Sequence, residues 1–217
     1  RTLGLSTEPR EAAKGLRTGE TRLIDVGKVS FINHQGKPDS RYFLNVSSFG
    51  LSAAIIERVK TKTRLEWLPH DLIRGKASFA LSTLQEILDL STTTVRVKMD
   101  DKEEKSLQTI NFSVCNSRFF GGGMKICPGA QLDDGTMDLV LVGDFGHLEV
   151  LTKVHRLYGG THLSLPEVVN VKARSVRVEP VEEDHASRNV PIELDGETPG
   201  TLPATFEVVP GALALRC

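Results

Sequence analysis

The chain has 217 residues, 39 % of them hydrophobic and 25 % charged, with a formal net charge of −1. That is ordinary globular composition with material for a sizeable core, so neither a metal nor a disulfide staple is needed to hold a fold. The near-neutral balance lacks the basic footprint of a nucleic-acid binder, and no apolar run approaches the roughly 20 residues that span a bilayer.

In chain order, a short helix is expected to open near Ser6 or Thr7, carry Glu8 and Pro9 in its first turn, and stop at Gly19. Strands follow at Thr21–Phe31 and Arg41–Phe49, parted by the turn-rich stretch His34–Ser40. Two helices come next, Ser52–Lys60 and Asp71–Leu90. The longer one sets Ile73, Ala77, Ala80, Leu81, Leu84 and Leu88 at helical spacing, and core packing is the default reading of such a stripe. Further strands are expected at Thr93–Met99, Leu107–Asn116, Met137–Val142, Val168–Glu179, Val190–Leu194, Ala204–Val208 and Ala212–Leu215. One helix, His147–Tyr158, interrupts them with Leu148, Leu151, Val154 and Leu157 on a face expected to serve the core. Many short strands with Gly/Pro turns and no βαβ alternation predict a mainly β chain, an antiparallel β-sandwich with a few helices.

The cysteines are Cys115, Cys127 and Cys217. An odd count without a Cys-x-x-Cys pair argues against a disulfide framework or a thiolate zinc site, and small buried thiols in a reducing compartment are expected. No histidine spacing suits zinc. Three segments could carry chemistry. In Asn116–Met124 the run Gly121, Gly122 and Gly123 permits positive φ and close approach of backbone to another group, as in a substrate cleft; a plain Gly-rich hairpin is the competing reading. In Cys127–Leu139 the carboxylates Asp133, Asp134 and Asp138 crowd a turn at Gly135, as either a solvated tip or oxygen ligands for Mg²⁺ or Ca²⁺. In Ile192–Glu197 a strand ends on Asp195-Gly196-Glu197, whose two acids could orient Mg²⁺ and take a hydroxyl proton, or simply solvate a hairpin tip.

Taken together these segments resemble the C-terminal domain of the lipid kinase family that includes diacylglycerol kinases, bacterial lipid kinases and sphingosine kinases. Phe120-Gly-Gly-Gly-Met124, Pro128 with Asp133-Asp-Gly-Thr-Met-Asp-Leu139, and Leu194-Asp-Gly-Glu197 with Leu202-Pro-Ala204 stand in that family's order and approximate spacing. Leu3-Gly-Leu5, Glu11-Ala-Ala13, Ile24-Asp-Val-Gly27 and Tyr42–Gly50 are similar to the segments before them.

The resemblance implies an ATP-dependent kinase of two domains that phosphorylates a lipid hydroxyl of the diacylglycerol or sphingoid-base type. Residues 1–20 would be a helical tail of an N-terminal α/β nucleotide-binding domain and 21–217 the β-sandwich. The Gly-Gly-Asp-Gly-Thr loop that holds ATP occurs nowhere in the chain, so this stretch alone is expected to be inactive and to contain no nucleotide-binding residues of its own. By position Glu197 would accept the hydroxyl proton and Asp195 would tune it. Asp134, with the carbonyls of Gln131 and Thr136, would hold a structural cation, with Mg²⁺ as the cofactor. The expected partners are a lipid at a membrane surface, ATP, the nucleotide domain of the same protein and a second copy in a homodimer, in a cytoplasmic or peripheral-membrane setting. No acid stands in Phe49–Ile56 to meet a sphingoid amine, which leans toward a neutral glycerolipid. A NAD-kinase-like enzyme and a non-catalytic lipid-binding sandwich stay open as alternatives.

Overall fold

The structure is a computed structural model that describes residues 2–6, 8–62, 81–181 and 189–216. Helix α1 (Pro9–Thr18) opens slightly later than expected, with Glu8 as its cap: the Glu8 side chain accepts from Glu11 N at 2.9 Å, Pro9 fills the first turn, and Gly19 ends the helix as expected. Eleven strands follow among the described residues: β1 (Thr21–Asn33), β2 (Pro38–Phe43), β3 (Val46–Gly50), β4 (Thr93–Met99), β5 (Lys105–Thr109), β6 (Asn111–Cys115), β7 (Met137–Val142), β8 (Val168–Ala173), β9 (Ser175–Pro180), β10 (Pro191–Leu194) and β11 (Glu197–Arg216). They interleave with α2 (Leu51–Lys62), a helical run over 81–88, α3 (His147–Lys153) and α4 (Arg156–Gly159).

All pairings are antiparallel, in the order β5-β4-β9-β11-β10-β3-β6-β7-β8, with β1 and β2 added on the other side of β11. The 20-residue β11 pairs with β10 near its start and with β9 further on, so one sheet folds over itself and two halves face each other. This is the expected sandwich-like, mainly β architecture. Between the halves lies an inner core that includes Val29, Phe43, Phe49, Phe112, Ile192 and Phe206. The Phe49 and Phe112 rings stack there with centroids 5.2 Å apart.

Three expected strands are each two. Arg41–Phe49 breaks at 44–45, Leu107–Asn116 at Ile110 and Val168–Glu179 at Arg174. Each break is a place where the chain leaves one set of partners for another: β2 pairs with β1 but β3 with β10 and β6, and β8 pairs with β7 but β9 with β4 and β11. The opposite error joins Ala204–Val208 and Ala212–Leu215 into β11. At Gly211 (φ +59°) the strand is irregular, and the Asp25 carboxylate receives its N–H at 2.8 Å, so pairing with β1 continues past it.

Two helical expectations are corrected. Leu148 is 77 % exposed, Leu151 is exposed too, and nothing in α3 or α4 is buried. In the run 81–88, Leu81, Leu84 and Leu88 face outward while Ser82 and Ile87 are buried. Helical spacing identified a stripe, but the sheet supplies the core and these helices only lean on its outer face. Residues Ile73, Ala77 and Ala80 of that expected helix lie outside the described residues. A further correction concerns Cys115 and Cys127, which form a disulfide. Their 12-residue spacing hides it, because the chain after β6 turns back at Phe120–Met124 and brings Cys127 N to Arg118 O.

Gly27 pairs with Phe43 across β1 and β2, and a Cβ there would stand 2.2 Å from the buried Phe43 ring. Gly27→Ala is expected to cost about 1–3 kcal/mol in a denaturant melt, the usual penalty of overpacking a filled core.

Candidate functional site

In the half-sheet β10-β3-β6-β7-β8, strands β10, β3, β6 and β7 are buried on both faces and β8 forms a largely exposed edge. The inner face of the half-sheet feeds the sandwich core. Its outer face carries a second cluster that includes Val46, Ile110, Cys115, Val140, Phe145 and Val168. Between this outer face and the helices lies an apolar cavity of about 670 Å³, within the size range of small-molecule sites. Its floor takes Glu193 from β10, Val46 from β3, Ile110 beside β6, Val142 from β7 and Val168 from β8. Four interstrand steps make that floor roughly 19 Å long. Ile55 of α2, Ile87, and Val154 and Leu157 near α4 close it from the helix side. Of the leucines that missed the core, Leu84 and Leu151 line this space, whereas Leu81, Leu88 and Leu148 do not.

At the β10 end the cavity meets the hairpin between β10 and β11. Leu194 pairs with Glu197 across a two-residue loop, Asp195 (φ +47°) and Gly196 (φ +93°). Both central residues have positive φ, the conformation that favours Asp-Gly in tight hairpins. Asp195 is not a free acid: its carboxylate accepts the N–H groups of Leu44 at 2.7 Å, Asn45 at 3.0 Å and Val46 at 3.1 Å. It holds the corner between β2 and β3 while lining the cavity. Glu197 points elsewhere. Its side chain is 69 % exposed, pairs with Arg41 at 3.2 Å, and lines a separate polar hollow of about 260 Å³ with His34, Asp39 and Lys60. The two predicted catalytic acids are thus neighbours on one turn, with one tied to backbone and one open to solvent.

The carboxyl that sequence reading missed is Glu193. It is only 7 % exposed and lines the cavity. Oε2 accepts from Ser48 Oγ at 2.7 Å and Oε1 from Gly196 N at 2.5 Å. Burial pushes its carboxyl above the ordinary range, against those two hydrogen bonds. The available signal was Ile192-Glu193-Leu194: an acid between two core residues of a strand must face the opposite side of the sheet. His162 is likewise buried at the cavity, with Nε2 2.9 Å from Ile126 O and burial holding its pKa below the usual value.

Of the three glycines, Gly121 lines the cavity, in the tight turn closed by the Phe120–Met124 bridge. Gly122 and Gly123 continue that turn, Gly123 at φ +105°.

The acidic turn lies apart from the cavity. Asp133 pairs with Arg22 at 2.8 Å. Asp134 Oδ1 accepts from Thr136 N at 3.0 Å and Thr136 Oγ1 at 2.8 Å, and Oδ2 meets Lys172. Burial works against ionisation of Asp134, but the hydrogen bonds from Lys172 and Thr136 outweigh it and hold its carboxyl below the ordinary range. Asp138, buried and 3.6 Å from Lys172, is pushed up by desolvation. Beneath the turn, buried Asp25 accepts Gly135 N at 2.7 Å and its own N–H bonds Leu132 O at 2.6 Å. Among the described residues no three His, Cys, Asp or Glu side chains form a metal-holding group. The expected donor set has one carboxylate plus the carbonyls of Gln131 and Thr136, a hard oxygen set that suits Mg²⁺ or Ca²⁺. A cation there would compete with the Lys172 ammonium for Asp134. Lys172→Met is therefore expected to enlarge the difference in melting between Mg²⁺ and chelator by about 1 kcal/mol, the scale of a half-exposed ion pair.

Residues 45–217 match the family described as "YegS C-terminal NAD kinase beta sandwich-like domain". A diacylglycerol kinase of Mycobacterium tuberculosis is 28 % identical over 98 % of this chain and 63 % of its own length. One of Bacillus subtilis is 25 % identical over 95 % of this chain and 61 % of its own. The chain thus spans less than two thirds of these relatives. A solved structure described as a diacylglycerol kinase of Bacillus anthracis str. Sterne superposes with TM-score 0.61 at 19 % identity, covering 100 % of this chain and 61 % of that one. A second from the same organism gives 0.69 at 24 %, covering 100 % and 63 %. At these identities the two structures establish the shared fold. Among the described residues no helix is long and apolar enough to cross a membrane.

Proposed function

Because the chain belongs to the family of YegS C-terminal NAD kinase beta sandwich-like domains, we propose that it is the lipid-binding half of an ATP-dependent lipid kinase. The observation that carries this reading is the apolar cavity of about 670 Å³, which ends at the acid-bearing hairpin. Such a space suits a hydrocarbon chain, and carboxyls at one end give a hydroxyl head somewhere to go. A relative named diacylglycerol kinase supports a glycerolipid alcohol as the acceptor.

Phosphoryl transfer asks a protein mainly to align the hydroxyl with the γ-phosphate and to balance charge. Here the lipid chain lies along the sheet and the hydroxyl emerges at Gly196. Glu197, next in sequence and held by Arg41, faces outward, where a nucleotide-bearing domain can deliver ATP. Glu197 accepts the hydroxyl proton as the phosphoryl group arrives. Asp195 serves by fixing the turn through three backbone N–H groups. Mg²⁺ held by Asp134 and the carbonyls of Gln131 and Thr136 supplies structural positive charge when bound.

The test is transfer of labelled phosphate from ATP by the full-length protein to lipid alcohols in mixed micelles, with NAD as a parallel acceptor. Phosphorylation of a glycerolipid alcohol is the expected result. Labelling of NAD alone identifies the NAD-kinase-like alternative, and lipid binding without transfer identifies a binding module.

A further inference from the structure

Glu193 is a buried acid for which the chemistry assigned to Glu197 has no use. Ile192 and Leu194 point into the inner core, which turns Glu193 onto the outer face beside the cavity. A carboxylate oxygen accepts two hydrogen bonds. Each oxygen of Glu193 has one donor, Ser48 Oγ or Gly196 N, so acceptor capacity remains. Asp195, the other carboxyl that lines the cavity among the described residues, already takes three backbone N–H groups. The two donors offset part of the cost of burying this carboxyl beside apolar walls, and a further donor entering the cavity would offset more.

We propose that Glu193 anchors the head of the lipid before ATP arrives, accepting a hydrogen bond from the hydroxyl of an uncharged lipid alcohol until that hydrogen turns to Glu197 for transfer, and directing the tail from β10 across β3, β6 and β7 toward β8. The inference rests on the lipid kinase reading and adds to it a head-group contact and a direction for the chain. The charge around Glu193 selects the class. Two carboxyls at one end, Glu193 and Asp195, oppose a phosphate-bearing head. Burial disfavours the ionised form of Glu193, and Lys60 of α2 is a cation that already acts on it. A neutral donor fits that setting better than a second cation.

The experiment uses the full-length protein without ATP and measures binding of 1,2-dioctanoylglycerol against trioctanoylglycerol, whose hydroxyl is esterified, in detergent micelles. The wild-type protein is expected to favour the alcohol about tenfold, the scale of one hydrogen bond to a charged or buried acceptor. Glu193→Leu is expected to lose that preference. Glu193→Gln keeps the shape and an amide oxygen; it should raise KM for dioctanoylglycerol several-fold, with kcat changed less than about threefold. A folded Glu193→Leu protein that keeps the full preference overturns the proposal. So does a collapse of kcat in Glu193→Gln, which would make Glu193 the proton acceptor. Tighter binding of a sphingoid amino alcohol than of dioctanoylglycerol overturns the substrate class. If the wild-type protein phosphorylates no lipid, the kinase reading fails, yet the binding comparison still decides the role of Glu193.

Discussion

Glu197→Gln in the full-length protein is expected to lower lipid phosphorylation by about 10²- to 10⁴-fold, the usual worth of a general base. The amide keeps the size of the side chain and an oxygen for Arg41, which lies 3.2 Å from the carboxylate, but it cannot take a proton. The side chain is largely in solvent and outside the apolar cavity, so lipid affinity and melting temperature should stay near wild type. The loss should therefore fall on kcat with KM little changed, the mark of an interaction made only in the transition state. A variant that kept most of its turnover would remove Glu197 from the chemistry. Arg41→Ala separates positioning from proton transfer, because it frees the carboxylate without removing it.

Asp195→Ala is expected to be the most damaging single change to the fold near the site, at about 3–5 kcal/mol in chemical unfolding. Three N–H groups, of Leu44, Asn45 and Val46, would lose a carboxylate acceptor at once. Hydrogen bonds to a charged group are each worth about 1.5–3 kcal/mol net, although losses at one site are not additive. The residue also stands at φ +47°, where alanine is strained and asparagine is tolerated. Asp195→Asn should therefore recover part of the stability, since its amide oxygen can still accept. If Asp195→Ala unfolded like wild type yet abolished turnover, Asp195 would be a chemical group and not the keystone of this corner.

Much of the architecture was readable from local pattern. Strands β4 and β7 have the expected bounds, and α1 stops at its glycine although it starts at Pro9, a little later than expected. Long-range events were not readable. The breaks at 44–45, Ile110 and Arg174 arise because partners change there, and no neighbouring residue announces a change of partner. At the site, the turn containing Asp195 and Glu197 was visible, but the division of labour was not. The positive φ of Asp195 follows from its Asp-Gly turn, but a backbone partner of its carboxylate, Asn45, lies 150 residues away in the chain. Glu193 escaped because its significance lies in a second buried sheet face, which a strand of four residues cannot reveal. The disulfide was hidden by a loop that folds back on itself. The leucines of α3 and of the run 81–88 showed periodicity correctly but led to the wrong destination.

The pairing of β1 with β11 has a consequence for how such a domain is made. Thr21 lies opposite Arg216, 195 positions later (216 − 21). On a ribosome working at about 5–20 residues per second, β1 waits roughly 10–40 s before its mate emerges. During that interval its apolar residues, Ile24, Val26 and Val29 among them, have no permanent cover. Until then β1 has only β2 as a sheet partner, and its other edge stays open to association with other chains.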